Sequence, residues 1–135
     1  MTGSVIQLLI LEDDRVDAEL YERLLSKIKG YVFETTVASR GLDALQLIDN
    51  QPPDLIIADF LLPDMTGVEF IRQLKQRHDL DSLPLIMVTG HGNEEVVVQA
   101  LQMGAKDYLV KESLNRNGLH RSVHNALEHA IVCRQ

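Results

Sequence analysis

Along these 135 residues, short apolar runs alternate five times with stretches whose apolar residues recur every three or four positions. VIQLLIL (Val5–Leu11) is a nearly continuous apolar run, the pattern of a strand buried on both faces. DRVDAELYERLLSKI follows, with Val16, Leu20, Leu24 and Ile28 at intervals of four, a helix stripe that Gly30 closes. YVFETTV (Tyr31–Val37) is β-branched and aromatic and predicts a second strand. Ser39 is placed to cap the next helix, which carries Leu42, Leu45 and Ile48 and stops before Pro52 and Pro53. DLIIA predicts strand three, and Val68, Ile71 and Leu74 mark helix three. PLIMV, opened by Pro84, predicts strand four, and a helix with a Gly stop follows it. AKDYLV predicts strand five, and residues 117–134 the last helix.

Five βα units in alternation imply an α/β fold with a parallel sheet and right-handed crossovers. They are too few for an eightfold barrel. What remains is a doubly wound, flavodoxin-like five-stranded sheet in the order 2-1-3-4-5. The chain carries no linker or low-complexity tract, so residues 1–135 are read as one domain. The last helix ends in VCRQ without a Gly, Asn or Pro stop, so either it frays there or it continues into a longer parent protein, the second being the preferred expectation.

In open α/β sheets, function sits outside the carboxyl ends of the strands. Strand one exits into Glu12, Asp13 and Asp14, strand three into Asp59, strand four into Thr89, Gly90 and His91, and strand five into Lys111. Strands one and three are neighbours in the predicted order, so their acids converge. Several carboxylates in one cleft repel one another unless a cation joins them. Oxygen-only ligands suit Mg²⁺, and the absence of His and Cys from the acid cluster argues against zinc. Metal, lysine and hydroxyl around one carboxylate are the parts that bring a phosphoryl group to it, with Asp59 as nucleophile. A lone Asp, Thr or Lys at a strand end is ordinarily a turn or capping residue. The weight here rests on four of five strands ending in complementary chemistry.

Composition narrows the classes. The net charge of -7 leaves no basic stripe for direct nucleic-acid binding. No apolar run approaches the roughly 18 residues of a membrane span. With one cysteine, Cys133, no disulfide can form within the chain, which fits the expected cytoplasmic location. An FMN protein of this fold needs a Ser/Thr/Gly-rich phosphate loop after strand one, whereas EDDRVD repels phosphate. An aspartate-nucleophile phosphatase needs a D-x-D pattern after strand one and a cap insertion, and neither is present.

LLILEDD, PPDLIIADFLLPDMTG, PLIMVTG and GAKDYLVK occur in that order. From about Val5 to Leu127 the chain resembles the receiver domain of two-component response regulators. The resemblance implies that Glu12 and Asp13 are the metal-holding pair, Asp59 the phosphoacceptor, and the Leu61 backbone carbonyl a Mg²⁺ ligand. It implies that Thr89 and Lys111 are the switch hydroxyl and conserved-type lysine, and that Tyr108 is the aromatic that swings inward. Asp14 exceeds the pair and is read as a helix N-terminal charge. The implied donor is a phosphohistidine of a histidine kinase or histidine phosphotransfer protein. The implied output is a domain or partner met through the face of helix four, strand five and helix five, and homodimerisation is left open. Such a chain is a phosphoacceptor switch rather than an enzyme acting on an external substrate. Leu61 and His91 border the line of water attack on the acyl phosphate and are the expected modulators of its lifetime.

One departure matters. The family usually has a cis-linked Pro after the lysine, and here Glu112 follows Lys111. A trans bond and a rearranged loop are expected, because a cis bond before a non-proline costs about 2.5–4 kcal/mol. Glu112 also keeps open an alternative, a receiver-like binding module that is not phosphorylated. His120 with His124, and His129 with Cys133, stand at i,i+4 and are read as solvated helix face rather than as a metal site. EEVVVQAL is read mostly as core contact, with Val97 as the exposed candidate for a partner.

Overall fold

The structure is a computed structural model that describes residues 4–90 and 94–134. In chain order the elements are β1 (Ser4–Leu11), α1 (Arg15–Ser26), β2 (Tyr31–Ala38), α2 (Gly41–Asn50), β3 (Leu55–Asp59), α3 (Gly67–Arg77), β4 (Leu85–Thr89), α4 (Glu94–Met103), β5 (Asp107–Val110) and α5 (Arg116–Arg134). A 3₁₀ turn, Lys111–Ser113, joins β5 to α5. The sheet runs β2-β1-β3-β4-β5 with every neighbouring pair parallel, as expected.

Alternation along the strands divides the core in two. Leu9, Leu11, Ile56, Ala58, Leu85 and Met87 face α2, α3 and α4, where they meet Leu45, Ile48, Phe70, Ile71 and Leu74. Leu8, Ile10, Leu55, Ile57, Ile86 and Val88 face α1 and α5, where they meet Tyr21, Leu25, Val123 and Leu127. Every residue of β3 and β4 is buried, which is why these segments read as unbroken apolar runs.

Five expectations need correction. The α1 row does not face the sheet as a unit. Val16 is 74% exposed, Leu20 and Leu24 are half-buried, and Ile28 is buried, while Ala18, Tyr21 and Leu25 carry the contact. At 3.6 residues per turn each step of four rotates by about 40°, so a row of four such residues drifts out of register with a flat sheet. That helix also ends at Ser26, and Gly30, at φ +96°, makes the turn into β2 instead. Ser39 does not cap α2. Arg40 stands at the cap position without a side-chain capping bond, and Asp64 supplies the acceptors from the β3–α3 loop. Val97 is buried with Ala100, and it is Val98 and Leu101 on α4 that are exposed. The α5 stripe holds through Leu119, Val123 and Leu127, but Ile131 is exposed.

Gly104 ends α4 as expected. It adopts φ +127°, and Gly104 and Ala105 donate backbone N–H groups to Leu101 and Ala100. No cis peptide bond occurs among the described residues, so Lys111–Glu112 is trans as expected.

Candidate functional site

The site is built where β1, β3 and β5 end. Glu12 follows β1 directly, and its backbone N–H donates to the Ala38 carbonyl at the end of β2. Its side chain is 1% exposed. Oε1 accepts from the Tyr21 hydroxyl at 2.8 Å and Oε2 from the Asp14 backbone N–H at 3.2 Å. Burial pushes the Glu12 carboxyl above its ordinary range, and the Asp59 charge adds to that. The Tyr21 hydroxyl, the Asp14 amide and Lys111 pull the other way. Burial and the adjoining Glu12 carboxylate also push the Tyr21 phenol up, so it stays a donor.

Asp13 is exposed at the mouth. Asp14 caps α1, its Oδ1 accepting from Val16 and Asp17 N–H, which accords with its reading as a helix N-terminal charge. Asp59 is the last residue of β3, and only 9% of its side chain is exposed. The loop after it is pinned by N–H bonds from Phe60 to the Val88 carbonyl at 3.0 Å and from Gly67 to the Phe60 carbonyl at 2.6 Å.

Lys111 opens the 3₁₀ turn after β5, and its Nζ lies 3.0 Å from Asp17 Oδ2, 3.1 Å from Glu12 Oε1 and 3.3 Å from Asp59 Oδ2. The trans bond to Glu112 therefore does not keep Lys111 from the acid cluster. Burial would lower the Lys111 pKa, but the hydrogen bond to Asp17 and the charges of Asp59 and Glu12 outweigh it and raise it, so the ammonium is fixed as a cation. Three carboxylates, Glu12, Asp17 and Asp59, thus share one ammonium.

Carboxylate oxygens of Glu12, Asp13 and Asp59 lie within 4.8 Å of one another. Carboxylates gathered this closely can be drawn onto one hard cation. The donor set is oxygen alone, with charge to spare after Lys111, and it fits a hard divalent cation.

Of the other expected residues, Thr89 is on the strand that neighbours Asp59. Thr89 ends β4 beside β3 and is buried, with its hydroxyl donating to the Gly90 carbonyl at 3.1 Å. Tyr108 is 40% exposed on β5, and Leu61 points its side chain to solvent at 63% exposure. His91 lies outside the described residues. His120 and His124 are exposed on α5, and His124 Nδ1 pairs with the Tyr31 hydroxyl at 2.8 Å. Sequence reasoning missed Asp17 and Tyr21. Both sit on α1 at places that periodicity scores only as polar or core. Only the strand order and the helix's rotation bring them to Lys111 and Glu12.

A doubly wound parallel sheet with acids at the ends of β1 and β3 and a lysine after β5 defines an α/β strand-end acidic-site protein. The family model described as the response regulator receiver domain matches residues 8–124, and the chain belongs to that family. It is therefore a receiver domain of the two-component response regulators, whose general role is that of a phosphoacceptor switch. The luminescence regulatory protein LuxO of Vibrio campbellii is 31% identical over 121 residues, covering 90% of this chain and 25% of that protein. The transcriptional regulatory protein YdfI of Bacillus subtilis is 31% identical over 114 residues, covering 84% of this chain and 52% of that protein. The chain thus spans a quarter to about half the length of these curated relatives. The crystal structure of the receiver domain of NtrX from Brucella abortus superposes with a TM-score of 0.80 at 28% identity, covering 90% of this chain and 98% of that one. No helix among the described residues is long and apolar enough to cross a membrane.

Proposed function

We propose that Asp59 accepts a phosphoryl group from the phosphohistidine of a histidine kinase or histidine phosphotransfer protein. In this reading residues 1–135 work as one receiver domain in the cytoplasm. The observation that carries it is the meeting of Lys111 Nζ with Asp59 at 3.3 Å inside a cluster of acids that outnumber the available cations. A buried carboxylate in that setting serves poorly as a structural ion pair and well as a nucleophile for an anionic group whose charge the lysine offsets.

The chemistry is a displacement at phosphorus. An Asp59 carboxylate oxygen forms the new P–O bond, the P–N bond to the donor imidazole breaks, and the imidazole leaves with the electron pair and takes up a proton. Glu12, Asp13 and Asp59, with the Leu61 carbonyl, would hold Mg²⁺, which supplies charge neutralisation at the phosphoryl oxygens when bound. Lys111 orients the phosphoryl group and balances its charge. Thr89 turns its hydroxyl from the Gly90 carbonyl to a phosphoryl oxygen, and Tyr108 moves inward from its exposed position. The face of α4, β5 and α5 changes with them, with Val98, Leu101 and Tyr108 as its exposed apolar residues. Two packings a few kcal/mol apart, biased by the new charge, are enough for such a switch.

An output domain or partner protein would read that face. The net charge of -7 supports a protein contact over a nucleic-acid one for this chain. The test is labelling by acetyl phosphate with and without Mg²⁺ in wild type and Asp13→Ala. Labelling should depend on Mg²⁺ in wild type, and the variant should lose that dependence and most of the rate. Full, Mg²⁺-dependent labelling of Asp13→Ala would remove Asp13 from the assignment. A receiver-like module without phosphorylation would show no labelling in either.

A further inference from the structure

Lys111 has three N–H donors, and three carboxylates take them: Asp17 at 3.0 Å, Glu12 at 3.1 Å and Asp59 at 3.3 Å. None is left for an incoming phosphoryl oxygen, so one partner must be released. The three partners are not equivalent. Glu12 is 1% exposed and is tied to Tyr21 and the Asp14 backbone, so losing Lys111 there would strand a buried charge. Asp59 carries the phosphoryl group itself. Asp17 is 31% exposed on the first turn of α1, where water can take the place of the ammonium.

We propose that Asp17 is a positioning residue of the phosphotransfer site: it holds the Lys111 ammonium before transfer and is the acid that Lys111 leaves when a phosphoryl group arrives. The inference rests on the phosphoacceptor reading of Asp59 and adds to it a residue that sets the rate. An interaction present before transfer and absent in the transition state lowers the ground state and slows the step. Asp17 also keeps a negative charge beside the entry of an anionic donor. Both effects act in the same direction, so Asp17 restrains phosphorylation.

The test is the initial rate of labelling by limiting acetyl phosphate at saturating Mg²⁺, in which the P–O bond to acetate breaks and acetate leaves with the electron pair. Asp17→Asn keeps the shape and a carbonyl acceptor but removes the charge. It should label about two- to fivefold faster than wild type, the range that an exposed ion pair can shift. Asp17→Glu, which restores the charge, should return the rate to near that of wild type. The gap between wild type and Asp17→Asn should narrow at about 1 M salt, where screening is short. A merely structural role predicts neither the acceleration nor its salt dependence. Equal or slower labelling of Asp17→Asn, with wild type labelling normally, would overturn the role of Asp17 and leave Asp59 as acceptor. No labelling of wild type would overturn both.

Discussion

Tyr21 donates its hydroxyl to Glu12 Oε1 at 2.8 Å, joining the interior of α1 to the acid at the end of β1. Both side chains are buried, the tyrosine at 2% and the glutamate at 2%. The helix is therefore anchored to the site by a polar contact inside an apolar layer. Tyr21→Phe keeps the packing and leaves one oxygen of a buried carboxyl with Lys111 as its remaining partner. It should cost about 1.5–3 kcal/mol, the range for a hydrogen bond to a charged group, read as a lower urea midpoint with an unchanged slope. An unaltered midpoint would mean that water replaces the hydroxyl at no cost.

Asp64 ties the loop after Asp59 to α2. Its Oδ1 and Oδ2 accept from the N–H groups of Gly41 and Leu42 at 2.8 and 3.0 Å. Asp64→Ala should destabilise the fold by about 1 kcal/mol at neutral pH, the usual loss for a helix N-terminal cap. Slight desolvation opposes ionisation of Asp64, but the Leu42 and Gly41 amides and Arg40 hold its carboxyl below the ordinary range. A depressed folded-state pKa contributes stability above the unfolded value, and that stability is lost as pH falls through the folded value. The difference between wild type and Asp64→Ala in chemical denaturation should therefore shrink on acidification below the ordinary carboxylate range. A difference that grows on acidification would contradict the cap.

Gly67 should tolerate no side chain. A Cβ there would press on the Met87 and Phe60 side chains and stand 3.0 Å from the Cα of Phe60, the residue after Asp59. Gly67→Ala should lower the melting temperature by several degrees, corresponding to roughly 1–3 kcal/mol of overpacking. Because Phe60 follows Asp59, it should also slow phosphorylation. A variant with wild-type melting and rate would show that Met87 and Phe60 yield freely.

Leu61 should shield the acyl phosphate. It is 63% exposed two residues after Asp59, where an apolar side chain cannot orient a water. The phosphorylated state should last minutes or longer, and Leu61→Asn should release inorganic phosphate faster than wild type. Equal release rates would count against the shield.

The fold was legible because β3 and β4 are buried on both faces, so their apolar runs are unbroken and the alternation with helices is plain. The exits of β1 and β3 were legible because an acid ending an apolar run has nowhere polar to go but out, whereas β5 is only partly buried. What sequence could not supply was rotation and reach. Val16 began the expected α1 row and is exposed, whereas Tyr21 lies on the buried side. Asp17 meets Lys111 across 94 residues, a distance that no local pattern encodes. Ser39 had the chemistry of a cap, but Asp64, 23 residues beyond Gly41, holds the helix end through tertiary structure.

The central claim is that Asp59 takes the phosphoryl group, and the mass of the intact chain after acetyl phosphate and Mg²⁺ tests it most directly. Wild type should gain one phosphoryl group only when Mg²⁺ is present and lose it on standing, and Asp59→Asn should gain none. A wild-type mass that does not change, or an Asp59→Asn chain labelled to the wild-type extent, would contradict the account.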